Sequence, residues 1–183
     1  MDKRRLLAEY GKKICGEKLV IGAGGNISLR NEDRVYIKKA NFNMAEGSVE
    51  GYIDIDLTEK YSLNKELSSE TPLHIASYEA REDVKAVIHV HSPFMIAVAH
   101  KVTLLRSTSY EFDCILKKEV PSLEYIQPGS EDLASAVGVD IKRGANAVLM
   151  KRHGAVSVGD SIEQAYLRIL ALERACITFL HSS

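Results

Sequence analysis

The chain has 183 residues, enough to bury one substantial core, and 45% of them are apolar, which excludes a disordered chain. Its 24 basic and 25 acidic side chains are interspersed and nearly cancel. That excludes the one-signed surface that nucleic acid or an anionic membrane selects, while leaving room for a local basic pocket. No apolar run approaches a membrane span, and the charged start MDKRRLLAEYGKK is unlike a signal peptide. Cys15, Cys114 and Cys176 lack CxxC spacing and read as reduced, mostly buried thiols of a cytoplasmic protein folded as one domain over residues 1–183.

In residues 2–19, Leu6, Leu7, Tyr10, Ile14 and Cys15 recur at helical spacing, with Gly16 a natural stop. The glycine cluster IGAGGN (21–26) follows. NISLR and RVYIKK around the turn-forming NED then predict a β-hairpin, and GYIDIDL (51–57) alternates as a half-buried strand does. In SSETPLHIASYEAR (68–81) Thr71 is placed as the helix N-cap and Pro72 as the first helical residue. AVIHVHSP (86–93) reads as a strand leading into a helix near Pro93, and RSTSYEF (106–112) shows no clear period. Gly129-Ser130-Glu131-Asp132 opens a helix through LASAVGVDI, and ANAVLMKRHGAVSVG (145–159) predicts two strands meeting at His153-Gly154. The last element is a helix with Asp160 and Glu163 as a capping box and an apolar stripe through Ile162, Ala165, Tyr166, Ile169 and Leu170. The pattern is that of a mixed α/β domain without repeats or linkers.

Six histidines divide into two groups. His74 in a helix, His100 at a helix end and His181 in the tail read as surface or satisfied residues. His89, His91 and His153 stand at strand ends, and a strand turns alternate side chains the same way, so His89 and His91 face together. A catalytic zinc site takes three protein ligands and leaves one position open, which this trio could supply; alone, HxH is equally an oddity of burial. Glu70 stands just before a helix N-terminus beside Ser68 and Ser69, where an anion is favoured, though the hydroxyls serve equally as alternative caps. IGAGGN is a second candidate anion cradle. It matches neither GxGxxG nor a P-loop, and its glycines equally suit a positive-φ turn.

The succession GGNIS, SSE, HVH and RHG before a final capped helix resembles the class II aldolase/adducin family, and most closely its fuculose-phosphate aldolase branch, over about residues 3–180. That resemblance implies a three-layer α/β/α sandwich around a mostly antiparallel sheet, assembled as a homotetramer with sites between subunits. It implies His89, His91 and His153 as ligands of one Zn2+ per subunit (or another divalent ion), with Glu70 as acid/base and a further contact to the metal. Gly25, Asn26, Ser68 and Ser69 match phosphate-holding positions. Tyr110 matches a tyrosine that reaches a neighbouring subunit's site and protonates the aldehyde oxygen. The implied reaction is reversible cleavage of a ketose 1-phosphate to dihydroxyacetone phosphate and an aldehyde such as lactaldehyde, through a metal-stabilised enediolate. Sister reactions are a ribulose-phosphate 4-epimerase and a methylthioribulose-1-phosphate dehydratase; a non-catalytic adducin-like module is disfavoured by the three histidines and Glu70.

Three departures stand out. Ala40-Asn41 replaces the usual Thr/Ser-Gly pair of the phosphate loop, with Lys38, Lys39 or the Asn41 amide as substitutes. Pro128 replaces an expected aldehyde-pocket phenylalanine. The chain ends soon after its last helix, short of the tyrosine-bearing tail of some relatives.

Overall fold

The computed structural model describes residues 2–57 and 64–182. Its strands are β1 (Asn26–Asn31), β2 (Arg34–Lys38), β3 (Tyr52–Asp56), β4 (Ala86–Val90), β5 (Leu104–Leu105), β6 (Val120–Leu123), β7 (Ala147–Met150) and β8 (Gly154–Gly159). They form one sheet in the order β3-β2-β1-β4-β8-β7-β6-β5. Every neighbouring pair is antiparallel except β6 and β7. The helices are α1 (Lys3–Gly16), α2 (Thr71–Ala80), α3 (Pro93–Ala99), α4 (Glu131–Lys142) and α5 (Ile162–Ser182).

Alternation along the strands separates two cores. Ile27, Leu29, Ile88, Val90 and Leu149 pack with α1, α3 and α5. Val35, Ile37, Val87, Val148, Val156 and Val158 pack with α2 and α4 on the other face. The result is a three-layer α/β/α sandwich around a mostly antiparallel sheet, as the family resemblance implied. Strands β4 and β8 sit in the middle of the sheet and are buried along their whole length, which is why AVIHV and GAVSVG carry so few polar residues.

Helix α1, the β1–β2 hairpin, strand β3, helix α4 and the β7–β8 pair lie where periodicity placed them. Two helix starts shift by one residue. Glu70, not Thr71, is the N-cap of α2, and its side chain makes no capping bond, so the carboxylate is left for another use. At α5 the box is Ser161 and Gln164: the Gln164 N–H donates to Ser161 Oγ (3.2 Å) and Gln164 Oε1 accepts from the Asp160 N–H (3.2 Å). Both pairs have box spacing, so the sequence alone does not separate them. Of the thiols, Cys176 is buried and Cys15 half-buried, but Cys114 is exposed. From the last residue of RSTSYEF onward the chain winds into a single π-type turn, Phe112–Leu116, which buries Phe112 and Leu116 and turns Cys114 outward.

Candidate metal centre

His89 is the penultimate residue of β4, opposite Asn26 of β1 and Val156 of β8, so its ring points into the layer shared with α2 and α4. His91 lies one residue beyond the strand, and its N–H donates to the Leu19 carbonyl (3.0 Å), which prolongs the extended course. His153 closes the turn between β7 and β8, donating its N–H to the Met150 carbonyl (3.2 Å). Gly154 follows with φ +152°, where a Cβ would come 2.0 Å from the Val90 carbonyl oxygen. Glycine at this position is what allows β8 to lie against β4 beside the imidazoles.

These three elements bring the rings together. His89 Nε2 lies 2.9 Å from His91 Nε2 and 3.2 Å from His153 Nε2. The three ligand-type nitrogens all lie within 4.8 Å of one another. An aliphatic side chain buried at position 89 would contribute about 1.5–3 kcal/mol, so two imidazoles at the strand exit answer to something other than stability.

Electrostatics explain what. The His89 Nδ1–H donates to the Ala155 carbonyl (3.0 Å), which assigns the tautomer and leaves a lone pair on Nε2 facing both partners. Burial, then the neighbouring imidazoles, hold His89 well below the usual histidine range. Burial, then His91, lowers His153 to about 4, and burial, then the Lys38 charge, lowers His91. The rings are therefore neutral at pH 7, the form that binds metals. Hydrogen bonds among the rings satisfy the His89 lone pair only once, whereas two such contacts converge on it. A cation with bonds of about 2.1 Å in tetrahedral array sets its nitrogens roughly 3.4 Å apart, close to the spacing seen. The trio could hold a metal ion.

Glu70 stands at the head of α2 with Oε1 3.8 Å from His153 Nε2. Burial raises its proton affinity, and a backbone hydrogen bond from Gly129 partly offsets this. Its N–H donates to Ser68 Oγ (3.2 Å). Ser69 is exposed and abuts the turn before α4, since a Cβ on Gly129 would come 2.9 Å from Ser69 Cβ. Gly25 has φ +67°, and a Cβ there would meet Val20 Cγ1 at 2.5 Å and the His89 carbonyl oxygen at 2.7 Å, so the glycine loop is pressed directly onto β4. Asn26 follows, buried, with Oδ1 unpartnered among the described residues.

The departure at Ala40-Asn41 has a structural answer. Asn41 takes a left-handed conformation (φ +58°), which asparagine tolerates better than most non-glycine residues. The Ala40 N–H donates to the Glu66 carbonyl (2.8 Å) and Lys39 bridges to Leu67, so this turn lies beside the stretch that leads into SSE. Lys39 Nζ pairs with Glu66 (2.9 Å). Lys38 is buried instead, with Nζ donating to the Ala23 carbonyl (2.9 Å) and the Lys39 carbonyl (3.3 Å), and burial lowers it to about 8. The sequence offered Lys38 only as one of three substitutes; its burial against the glycine loop comes from the end of β2. Tyr110 is 80% exposed and hydrogen-bonded to Cys114, and no hydrogen bond joins it to the cluster among the described residues.

Comparison with known proteins identifies the family. Residues 5–180 match the family described as Class II Aldolase and Adducin N-terminal domain. The chain is 28% identical over 190 residues to an L-fuculose phosphate aldolase of Methanocaldococcus jannaschii, covering 99% of this chain and 97% of that one. It is 30% identical over 169 residues to a 5-deoxy-D-ribulose 1-phosphate aldolase of Bacillus thuringiensis, covering 90% and 78%. In three dimensions it matches the crystal structure of l-fuculose-1-phosphate aldolase from Thermus thermophilus with a TM-score of 0.90 at 23% identity, covering 99% and 95%, a likeness of fold. Among the described residues no helix is long and apolar enough to cross a membrane. The chain thus belongs to the class II aldolase and adducin family, on its enzymatic side, and is most like the fuculose-phosphate aldolases.

Proposed function

We propose that this lyase catalyses reversible aldol cleavage of a ketose 1-phosphate of the fuculose type, yielding dihydroxyacetone phosphate and an aldehyde such as lactaldehyde. The observation that carries the reading is the convergence of His89, His91 and His153 with the Glu70 carboxylate 3.8 Å from His153. Three neutral imidazoles suit Zn2+. His89, His91 and His153 would hold the cation, which would supply Lewis acidity for the reaction.

Glu70 takes the proton from the hydroxymethyl carbon of dihydroxyacetone phosphate and returns it in the reverse direction. An ordinary carboxylate is a poor base for that task; burial makes Glu70 a better one. The head of α2 with Ser68 and Ser69, the backbone at Gly25, the Asn26 carboxamide and the Asn41 amide receive the phosphate, which oriented N–H groups and a helix N-terminus favour. In this reading the single domain works in the cytoplasm as a homotetramer, and the exposed Tyr110 serves a neighbour's site, donating its phenolic proton to the aldehyde oxygen as the carbon–carbon bond forms.

Incubating the zinc-loaded protein with dihydroxyacetone phosphate and lactaldehyde is expected to give a ketose phosphate; no product with several aldehydes overturns the reading. Tyr110→Phe is expected to leave hydrogen exchange on dihydroxyacetone phosphate near the wild-type rate and to slow bond formation about 10²–10⁴-fold. Equal loss of both steps, or full activity in a protein that sediments as a monomer, would remove Tyr110 from this role.

A further inference from the structure

His91 lacks both supports that fix His89. His89 sits in the ladder between β1 and β8, and its outer nitrogen is anchored on the Ala155 carbonyl (3.0 Å). His91 stands beyond the end of β4, and among the described residues its Nδ1 makes no hydrogen bond. Its place therefore depends on the main chain at either side. Before it, its own N–H is held by the Leu19 carbonyl (3.0 Å). After it comes Ser92, fully buried, the N-cap of α3.

Ser92 Oγ accepts from the N–H groups of Phe94 (3.2 Å) and Met95 (3.4 Å) and lies 2.5 Å from Glu173 Oε2 of α5. A serine hydroxyl has two lone pairs and one hydrogen. The two backbone donors occupy both lone pairs, so the hydrogen points at Glu173 and the carboxylate is the acceptor. Capping serines commonly give that hydrogen to water; Ser92 is shut off from water, and a short charge-assisted bond takes its place.

A carboxylate is a costly choice here. Burial raises the Glu173 carboxyl, and the Ser92 hydrogen bond only partly offsets this. Leucine would cover the same contact between α3 and α5 without that penalty, so the acid answers to something besides packing. Glu173 also lines a cavity of about 500 Å³ together with Lys18, Leu19 and Arg174, which leaves room for a glutamine amide in its place. We propose that Glu173 is a positioning residue for the metal centre: by holding the Ser92 hydroxyl it fixes the backbone at His91, and with it that imidazole's place among the three. The proposal rests on the reading of the three histidines as a metal centre.

Zinc affinity, read by competition with a chromogenic chelator, and the visible spectrum of the cobalt(II) form, which reports ligand geometry, test it without substrate. Glu173→Leu is expected to weaken zinc about tenfold and to alter the cobalt bands, while the metal-free protein melts no lower than wild type. Glu173→Gln keeps an acceptor for Ser92 and should return both readouts to near wild type. Ser92→Ala should weaken zinc by a similar factor, and Glu173→Leu added to it no further, because one residue acts through the other. Should Glu173→Leu fail to fold, Ser92→Ala and Glu173→Gln decide by the same readouts. Wild-type affinity and spectrum in Glu173→Leu or Ser92→Ala, additive losses, or a Glu173→Gln loss as large as that of Glu173→Leu overturns the proposal. So does wild-type protein that takes up no divalent ion. Aldol turnover enters none of these readouts, so the aldolase reading and this one can fail separately.

Discussion

Glu70→Gln is expected to fold, keep its metal and lose hydrogen exchange at the carbon beside the ketone by about 10²–10⁴-fold, the usual contribution of a placed general base. The amide matches the carboxylate in shape and can still accept the Gly129 backbone hydrogen bond. Loss of solvent exchange on dihydroxyacetone phosphate, followed by proton NMR in deuterated water, measures the step without needing an aldehyde; wild-type exchange in the variant would free Glu70 of the base role. The pH dependence carries the same signature. Because burial raises Glu70, its basic form is lost at a higher pH than for an ordinary glutamate as the solution is acidified. The acid limb of the rate profile should therefore lie above about 4.3, the free glutamate value, and vanish in Glu70→Gln. The sign for stability runs the other way from a salt-bridged acid. The native state binds the Glu70 proton more tightly than the unfolded chain, so the cost of the buried charge is present above the raised pKa and relieved as pH falls. At neutral pH the glutamine variant should melt no lower than wild type, the usual exchange of stability for activity at a reactive site.

His89→Ala is expected to cost the metal and essentially all turnover. His89 is the ligand that faces both others, at 2.9 and 3.2 Å, and its own Nδ1–H is anchored on the Ala155 carbonyl. Metal acting as a Lewis acid is worth several kcal/mol in such reactions, which corresponds to a loss of about a thousandfold or more. Metal content of the purified variant, with turnover measured before and after zinc addition, checks both losses. One equivalent of bound zinc together with wild-type turnover would dissolve the proposed centre. His100→Ala is the internal control: this exposed imidazole at the end of α3 is expected to change neither quantity.

Much of this arrangement is legible in the sequence because it rests on periodicity. Alternation alone predicts that His89 and His91 face together, and the turn at His153-Gly154 places the third ring at the level of β4 once β7 and β8 pair. The misplacements are local competitions. Thr71 and Glu70 vie for the head of α2, and Asp160 and Ser161 for that of α5; short-range spacing favours neither. Cys114 reads as core until the π-type turn, a conformation without a sequence signature, faces it outward. Lys38 reads only as one of three substitutes in the phosphate loop, and His74 as a satisfied residue, because the chemistry of both depends on what encloses them. The glycine loop closes over one and the Ser28–Tyr78 pair over the other, and such long-range neighbours leave no trace in spacing.

The separation of the sheet into two unlike faces has a consequence for how such a molecule can drift. Asn26, Ser28, His74, Tyr78 and His89 all occupy the layer enclosed by α2 and α4, whereas α1, α3 and α5 meet the opposite face largely through aliphatic contacts. Aliphatic packing tolerates volume-conserving exchange at little cost. One half of the domain can thus accumulate neutral change while the other keeps a fixed arrangement of donors, so ancestry fades faster from the outer helices than from the reactive layer.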